Sequence, residues 1–329
     1  MPRRASPLHQ PHDKLFQAGF RIPANTAAFL RGHLPPWLSK RIQWSKLKHV
    51  PGSFIHESMT KSESDLLFRV LCDGGTAFVY ILFEHQHDKD KWIALRLSSY
   101  IHQIELDFRA KNPDAEKLPV VVPVVLAQNA TSWEIPKRFS ELFDLPMGED
   151  DPLRQFVPDF TFRLIQLADL SFDDIKGTNT GVMILRALKA SRTRKLLGEE
   201  VWDEPRLSKL STKILHQLLL YILDSSSVDM EAFRDKVKQL ETSKLKNAAM
   251  TLAQQLREDG LQQGMQQGMQ QGQVASKRQD ILEALKLRFK RVPAGLREEI
   301  EIVSDIAKLQ ALHRAAILSR TLEEFAEAL

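Results

Sequence analysis

The sequence predicts a mixed α/β core sandwiched by helices, followed by an α-helical C-terminal extension. Three observations carry that expectation. Runs such as "FVYILF" and "LPVVVPVVL" are apolar at successive positions, as strands buried on both faces are. Between them lies "DKWIALRLSSYIHQIELDFRAK", whose apolar spacing suits an amphipathic helix. After about Asp174 the strand signals fade and helical patterns take over.

Taken in order, residues 1–11 read as disordered, and "HDKLFQAGFRIPANTAAFLRGHL" reads as helix interrupted at Pro23. Asn25 is expected to cap a second helix that Pro35 and Pro36 stop. "SDLLFRVLC" and "TAFVYILFEHQ" flank a turn at Asp73–Gly75 and form an antiparallel hairpin. The long helix that follows is a crossover, which lays "LPVVVPVVLA" parallel to the second strand. "FVPDFTFRLIQLADL" offers a fourth strand, with Asp159 at its start as a turn residue. "TGVMILRALKASRTRKLLG", "RLSKLSTKILHQLLLYILD" and "MEAFRDKVKQLETSKLKNAAMTLAQQLRE" each read as helix, and short helices broken at Pro293 and Gly295 close the chain. The expected domains are a core at 12–240 and a helical region at 241–329 that carries a Gly/Gln repeat at 260–272.

Composition narrows the classes. The 43% apolar fraction is ample for a packed core, and a net charge of +4 points to no partner by itself. A single cysteine, Cys72, excludes an internal disulfide and a cysteine-rich zinc site. The basic N-terminus lacks an apolar signal core, and no apolar run is long enough to cross a bilayer. A soluble, cytoplasmic protein is expected.

The second strand ends in Glu84, His85 and Gln86. Alternation puts Glu84 and Gln86 on one face and His85 on the other. A carboxylate at the end of a buried strand needs a partner. The hairpin sets the start of the first strand, at Asp65, beside the end of the second, so Asp65 and Glu84 can converge. Two carboxylates and a backbone carbonyl make the oxygen-rich surroundings that Mg²⁺ or Mn²⁺ prefers. Gln86 would orient a water or a phosphate oxygen. The plainer reading makes Asp65 a turn cap and Glu84–Gln86 polar residues leaving a strand.

"HDKLF" (12–16), "SDLLF" (64–68), "FEHQ" (83–86), "ALRLSSY" (94–100) and "LPVVVPVVL" (118–126) occur in that order. This set resembles the Rpn family of recombination-promoting nucleases, also labelled putative transposases (YhgA-like), of the PD-(D/E)XK nuclease superfamily, over roughly residues 12–240. The resemblance implies a PD-(D/E)XK-like core and a metal-dependent DNA endonuclease that promotes recombination. It implies Asp65 and Glu84 as metal-binding catalytic acids, with Gln86 where many relatives in the superfamily carry lysine; His85 is read as a packing residue around the site that contributes its backbone carbonyl. The implied cofactor is Mg²⁺, with Mn²⁺ or Ca²⁺ as alternatives. The rival is a catalytically inactive DNA-binding or assembly protein on the same fold.

Between Asp13 and Glu57 no acidic residue occurs, while Lys40, Arg41, Lys46 and Lys48 fall near Trp37 and Trp44. Such a stretch suits a nucleic-acid backbone or, equally, a solvated surface anchored by its tryptophans. Arg96 and Tyr100, one helical turn apart, could face a phosphate or stack on the sheet. His12 and Asp13 could touch the site or cap the first helix. Gly260, Gly264, Gly268 and Gly272 form a stripe on a helix that self-associates, giving a homodimer through the C-terminal helices; a flexible linker is the rival.

Overall fold

In the computed structural model, which describes residues 10–50, 65–73, 75–84, 90–146, 148–225 and 228–329, one sheet holds the strands in chain order. They are β1 (Lys48–His49), β2 (Leu66–Cys72), β3 (Gly75–Glu84), β4 (Val120–Ala127) and β5 (Arg163–Gln166). β1, β2 and β3 pair antiparallel, and β4 and β5 join parallel, so the sheet is mixed. The expected hairpin and parallel crossover are both present. Sequence reasoning missed β1, a two-residue strand with no apolar signature. Pro123 interrupts a central strand, but β4 pairs with β5 only from Val124, so the proline precedes that second ladder.

Before the sheet come α1 (Pro11–Phe20), α2 (Pro23–His33) and α3 (Pro36–Ser39), each opened by a proline in its first turn, where the missing N–H costs nothing. Asn25 is not the cap expected: α2 starts at Pro23, and the Asn25 amide instead donates to the Gly19 carbonyl at 2.8 Å. Its oxygen accepts from Thr178 at 2.6 Å. Gly19 is needed for close approach, since a Cβ there would sit 2.2 Å from Ile184 Cδ1. α1 likewise starts before His12 and Asp13, so neither caps it.

The crossover helix α4 (Ile93–Lys111) lays Ile93, Ala94, Leu97, Tyr100 and Ile104 on one stripe against Leu67, Phe78, Tyr80, Val125 and Ala127 of the sheet. That spacing is the helical period the sequence displayed. Asp90 accepts from the Trp92 N–H at 2.9 Å just before its first turn.

The helical part continues with α5 (Asn179–Thr193), α6 (Glu204–Leu207), α7 (Thr212–Asp224) and α8 (Met230–Gln239). Side chains of Thr178, Asp203, Ser211 and Asp229 cap their first turns. The single helix expected from Met230 onward is two. The Glu204 carboxylate accepts from the backbone N–H groups of Glu241 and Thr242, which fixes the break before α9 (Ser243–Phe289). α10 (Ala294–Ile302), α11 (Ile306–Leu318) and α12 (Leu322–Ala326) close the chain.

The chain divides into two compact units, Met1–Leu252 and Ala253–Leu329. The second has its own core of Ile281, Leu285, Ile300, Leu309, Leu312, Ala316 and Phe325. The Gly/Gln repeat lies within α9 and is helical, not a linker. A Cβ on Gly260, Gly264, Gly268 or Gly272 would meet nothing within 4 Å, and Leu261, Met265 and Met269 are exposed.

Candidate active site at the end of the central strand

β3 is the middle strand, and its C-terminal end lies beside the start of β2. The register pairs Leu66 with Ile81 and Leu67 with Tyr80; one step further sets position 65 opposite 82. Strand alternation puts positions 80, 82 and 84 in one set with 65 and 67. Asp65 and position 84 are therefore diagonal neighbours on the sheet face that α4 covers. For Glu84 the structure describes the backbone, opposite Ala127 of β4. His85 and Gln86 lie outside the described residues.

A residue the sequence reading passed over holds Asp65. The Tyr80 hydroxyl donates to Asp65 Oδ2 at 2.6 Å. Tyr80 is 5% exposed and its ring lies 5.2 Å from that of Tyr100, tilted by 36°. Burial, then the adjacent Asp65 charge and the bond to it, push the Tyr80 phenol well above its ordinary range, against the pull of Arg96. The phenol therefore keeps its proton and stays a donor. The signal was present: a lone tyrosine in an apolar strand, four residues before Glu84, must satisfy its hydroxyl.

Arg96 and Tyr100 both sit near this cluster. Arg96 bonds Asp90 at 2.7 Å and is about one-third exposed, whereas Tyr100 is buried on Tyr80. Among the described residues, no three His, Cys, Asp or Glu side chains gather as a metal set. The expected set needs the Glu84 side chain and the His85 carbonyl, which lie outside that description.

The basic stretch runs from the end of α3 to β1. Lys40, Lys46 and Lys48 are exposed. Arg41 bonds Asp73 at 2.5 Å, both about half exposed. Lys48 stands opposite Arg69 across the β1–β2 ladder, and both are exposed. Arg69 alternates with Leu67 and Asp65, so this pair of like charges shares the Asp65 face. Trp37 is 64% exposed, while Trp44 donates its indole N–H to the Ser39 carbonyl at 3.0 Å. Asp159 pairs with Arg138 and accepts from the Ser140 N–H.

The other face of the sheet ends in a network of mainly uncharged groups. Gln128, one step past Ala127 and fully buried, sends its amide nitrogen to the Leu188 carbonyl at 2.7 Å and to Ser191 Oγ at 2.9 Å. His12 Nδ1 lies 3.2 Å from that nitrogen and 2.8 Å from the Tyr221 hydroxyl. Burial pushes Tyr221 up to about 12. Arg192 Nε donates to the Gln128 carbonyl at 3.1 Å. His12 thus meets α7 and Gln128, a contact sequence reasoning did not foresee. Beyond β4, Gln166 Oε1 accepts from the Trp133 N–H at 2.6 Å and from Asn129 at 3.0 Å, which fixes the exit of the strand.

A mixed sheet with a crossover helix and an acid at the strand end defines an α/β core compatible with a nuclease. The family model "Putative transposase, YhgA-like" matches residues 10–210, more than half of the chain. The recombination-promoting nuclease RpnA of Escherichia coli (strain K12) is 30% identical over 258 residues, 77% of this chain and 85% of RpnA. RpnC of the same strain is 30% identical over 265 residues, 78% of this chain and 84% of RpnC. The inactive recombination-promoting nuclease-like protein RpnE, also of that strain, is 28% identical over 268 residues, 78% of this chain and 85% of RpnE. No solved structure matches. The chain belongs to the YhgA-like putative transposase family and is related to these Rpn proteins.

Proposed function

We propose that this chain is a metal-dependent DNA endonuclease of the PD-(D/E)XK type that promotes recombination. The observation that carries the reading is the Asp65 carboxylate, clasped by Tyr80 on the same face and at the same strand end as position 84. The donor chemistry fits a hard divalent ion, because the described ligand is a half-buried carboxylate engaged by a neutral phenol. Asp65, Glu84 and the His85 carbonyl would hold Mg²⁺, or Mn²⁺ or Ca²⁺ in its place. When bound, the ion supplies a nucleophilic water at neutral pH and offsets charge on the scissile phosphate.

This chain's own residues do the rest. Gln86 orients the attacking water or a phosphate oxygen. Arg96 and Tyr100, on α4, contact the DNA. Lys48 and Arg69, opposite each other on the Asp65 face, neutralise phosphates there, and Lys40, Arg41 and Lys46 add further phosphate contacts. The open glycine stripe of α9, beside exposed Leu261, Met265 and Met269, carries a homodimer, which would bring the two active sites that a double-strand cut needs. Replacing Gly264 and Gly268 by leucine weakens that dimer; sedimentation that leaves the dimer unchanged would remove the stripe as its interface.

The rival is an inactive DNA-binding protein on the same fold, favoured by the likeness to RpnE, which is named inactive. Purified protein incubated with supercoiled plasmid separates the two. Endonuclease activity appears as nicked and linear DNA with Mg²⁺ or Mn²⁺ and vanishes with EDTA. A gel shift without any cleavage supports the rival.

A further inference from the structure

We infer that Tyr80 is a positioning residue for a divalent cation site: its hydroxyl holds the Asp65 carboxylate in the orientation that meets the ion. The inference rests on the reading of Asp65 as a metal ligand. Four observations carry it. Asp65 lies just before Leu66, the first paired residue of β2. An aspartate there has its own rotamers to lose. Tyr80, by contrast, is locked between two ladders, opposite Leu67 on one side and Pro123 on the other. Its ring is buried against Tyr100, so the hydroxyl is delivered to Asp65 Oδ2 from a rigid base.

Packing alone does not explain a tyrosine here. Phenylalanine would fill the same space beside Phe78 and keep the ring against Tyr100. A buried hydroxyl is costly unless it is bonded, and its bond goes to the Asp65 carboxylate. Donors of this kind fix the direction of a ligating oxygen, and losing one typically weakens metal binding about 10–100-fold.

The test is calorimetric titration of the DNA-free full chain with Mn²⁺, for the wild type, Tyr80→Phe, Asp65→Ala and the double variant. Tyr80→Phe should bind Mn²⁺ about tenfold more weakly or worse. Asp65→Ala should lose the site, and adding Tyr80→Phe should change nothing more. In plasmid cleavage, the Mn²⁺ concentration at half-saturation should rise by the same factor, while KM for DNA at saturating metal stays put. Melting curves show whether the phenylalanine variant is folded. If Tyr80→Phe binds Mn²⁺ like the wild type while Asp65→Ala does not bind, Tyr80 has no positioning role and the metal site stands. A lowered melting temperature with unchanged Mn²⁺ affinity overturns the inference in the same way, as a purely structural bond. If Asp65→Ala binds as the wild type does, the site and the role of Tyr80 both fall.

Discussion

The two faces of the sheet both bury polar groups at the ends of its central strands, and they do so with different chemistry. On the α4 face a carboxylate, Asp65, is held by a phenol, with Arg96 and Asp90 close by and the like charges of Lys48 and Arg69 further along. On the other face Gln128, Ser191, Tyr221 and His12 are joined by an amide, hydroxyls and an imidazole. Burial keeps Tyr221 protonated, at about 12. Desolvating a charge is far more costly than desolvating an amide that is bonded. The Gln128 network holds its helices mainly through uncharged groups, with Arg192 bonded to the Gln128 carbonyl, and a charged cluster at a strand end is a candidate place for chemistry. On the proposed reading the Gln128 side serves stability and the Asp65 side serves function.

The largest effect that would break this comparison is on Gln128. Gln128→Ala removes the donor shared by the Leu188 carbonyl and Ser191, and should destabilise the fold by about 2 kcal/mol. Cleavage per folded molecule should persist. Lost cleavage with an unchanged denaturation midpoint would make the network part of the active site.

Next in size is the basic edge. The combined change of Lys40, Arg41, Lys46 and Lys48 to alanine should weaken DNA binding about tenfold or more and flatten the salt slope by about three. Fewer than four phosphates are expected to be lost, because Arg41 already pairs with Asp73. A slope identical to the wild type would return these residues to ordinary solvated surface.

The smallest effect sharpens the neutral side. His33 on α2 is pushed below its ordinary 6.5 by burial, with the Arg163 charge adding to it, against the Phe29 carbonyl and the carboxylate and backbone of Asp174. The unfolded chain therefore binds the proton more readily. The stability that the neutral imidazole contributes is complete above pH 6.5 and is lost as pH falls below it toward the folded-state value. His33→Gln should flatten stability against pH across that window, as read by denaturant midpoints. An unaltered slope would show that His33 titrates alike folded and unfolded.

Much of the fold was legible because its signals are local. The apolar runs at 66–72, 75–84 and 120–127 are strands, and the stripe from Ile93 to Ile104 became α4. What escaped depends on contacts distant in sequence. Asn25 looked like a cap but bonds Gly19 and Thr178. The break before α9 is held by Glu204. His12 meets Tyr221 across 209 positions, and no sequence pattern announces such a pairing. At the site, the hairpin was readable from the turn at Asp73, and with it the placing of the start of β2 beside the end of β3. Tyr80 was hidden because an aromatic in a strand passes for core, and only its hydroxyl shows otherwise.

The central claim is that Asp65 and Glu84 share one metal and one reaction. It is tested most directly by plasmid cleavage with Asp65→Ala and Glu84→Ala, each measured with Mg²⁺ and each checked for a wild-type melting curve. Both variants should lose cleavage by more than the roughly 10–100-fold that the loss of an outer partner costs, and both should stay folded. Undiminished cleavage by either folded variant would contradict the assignment.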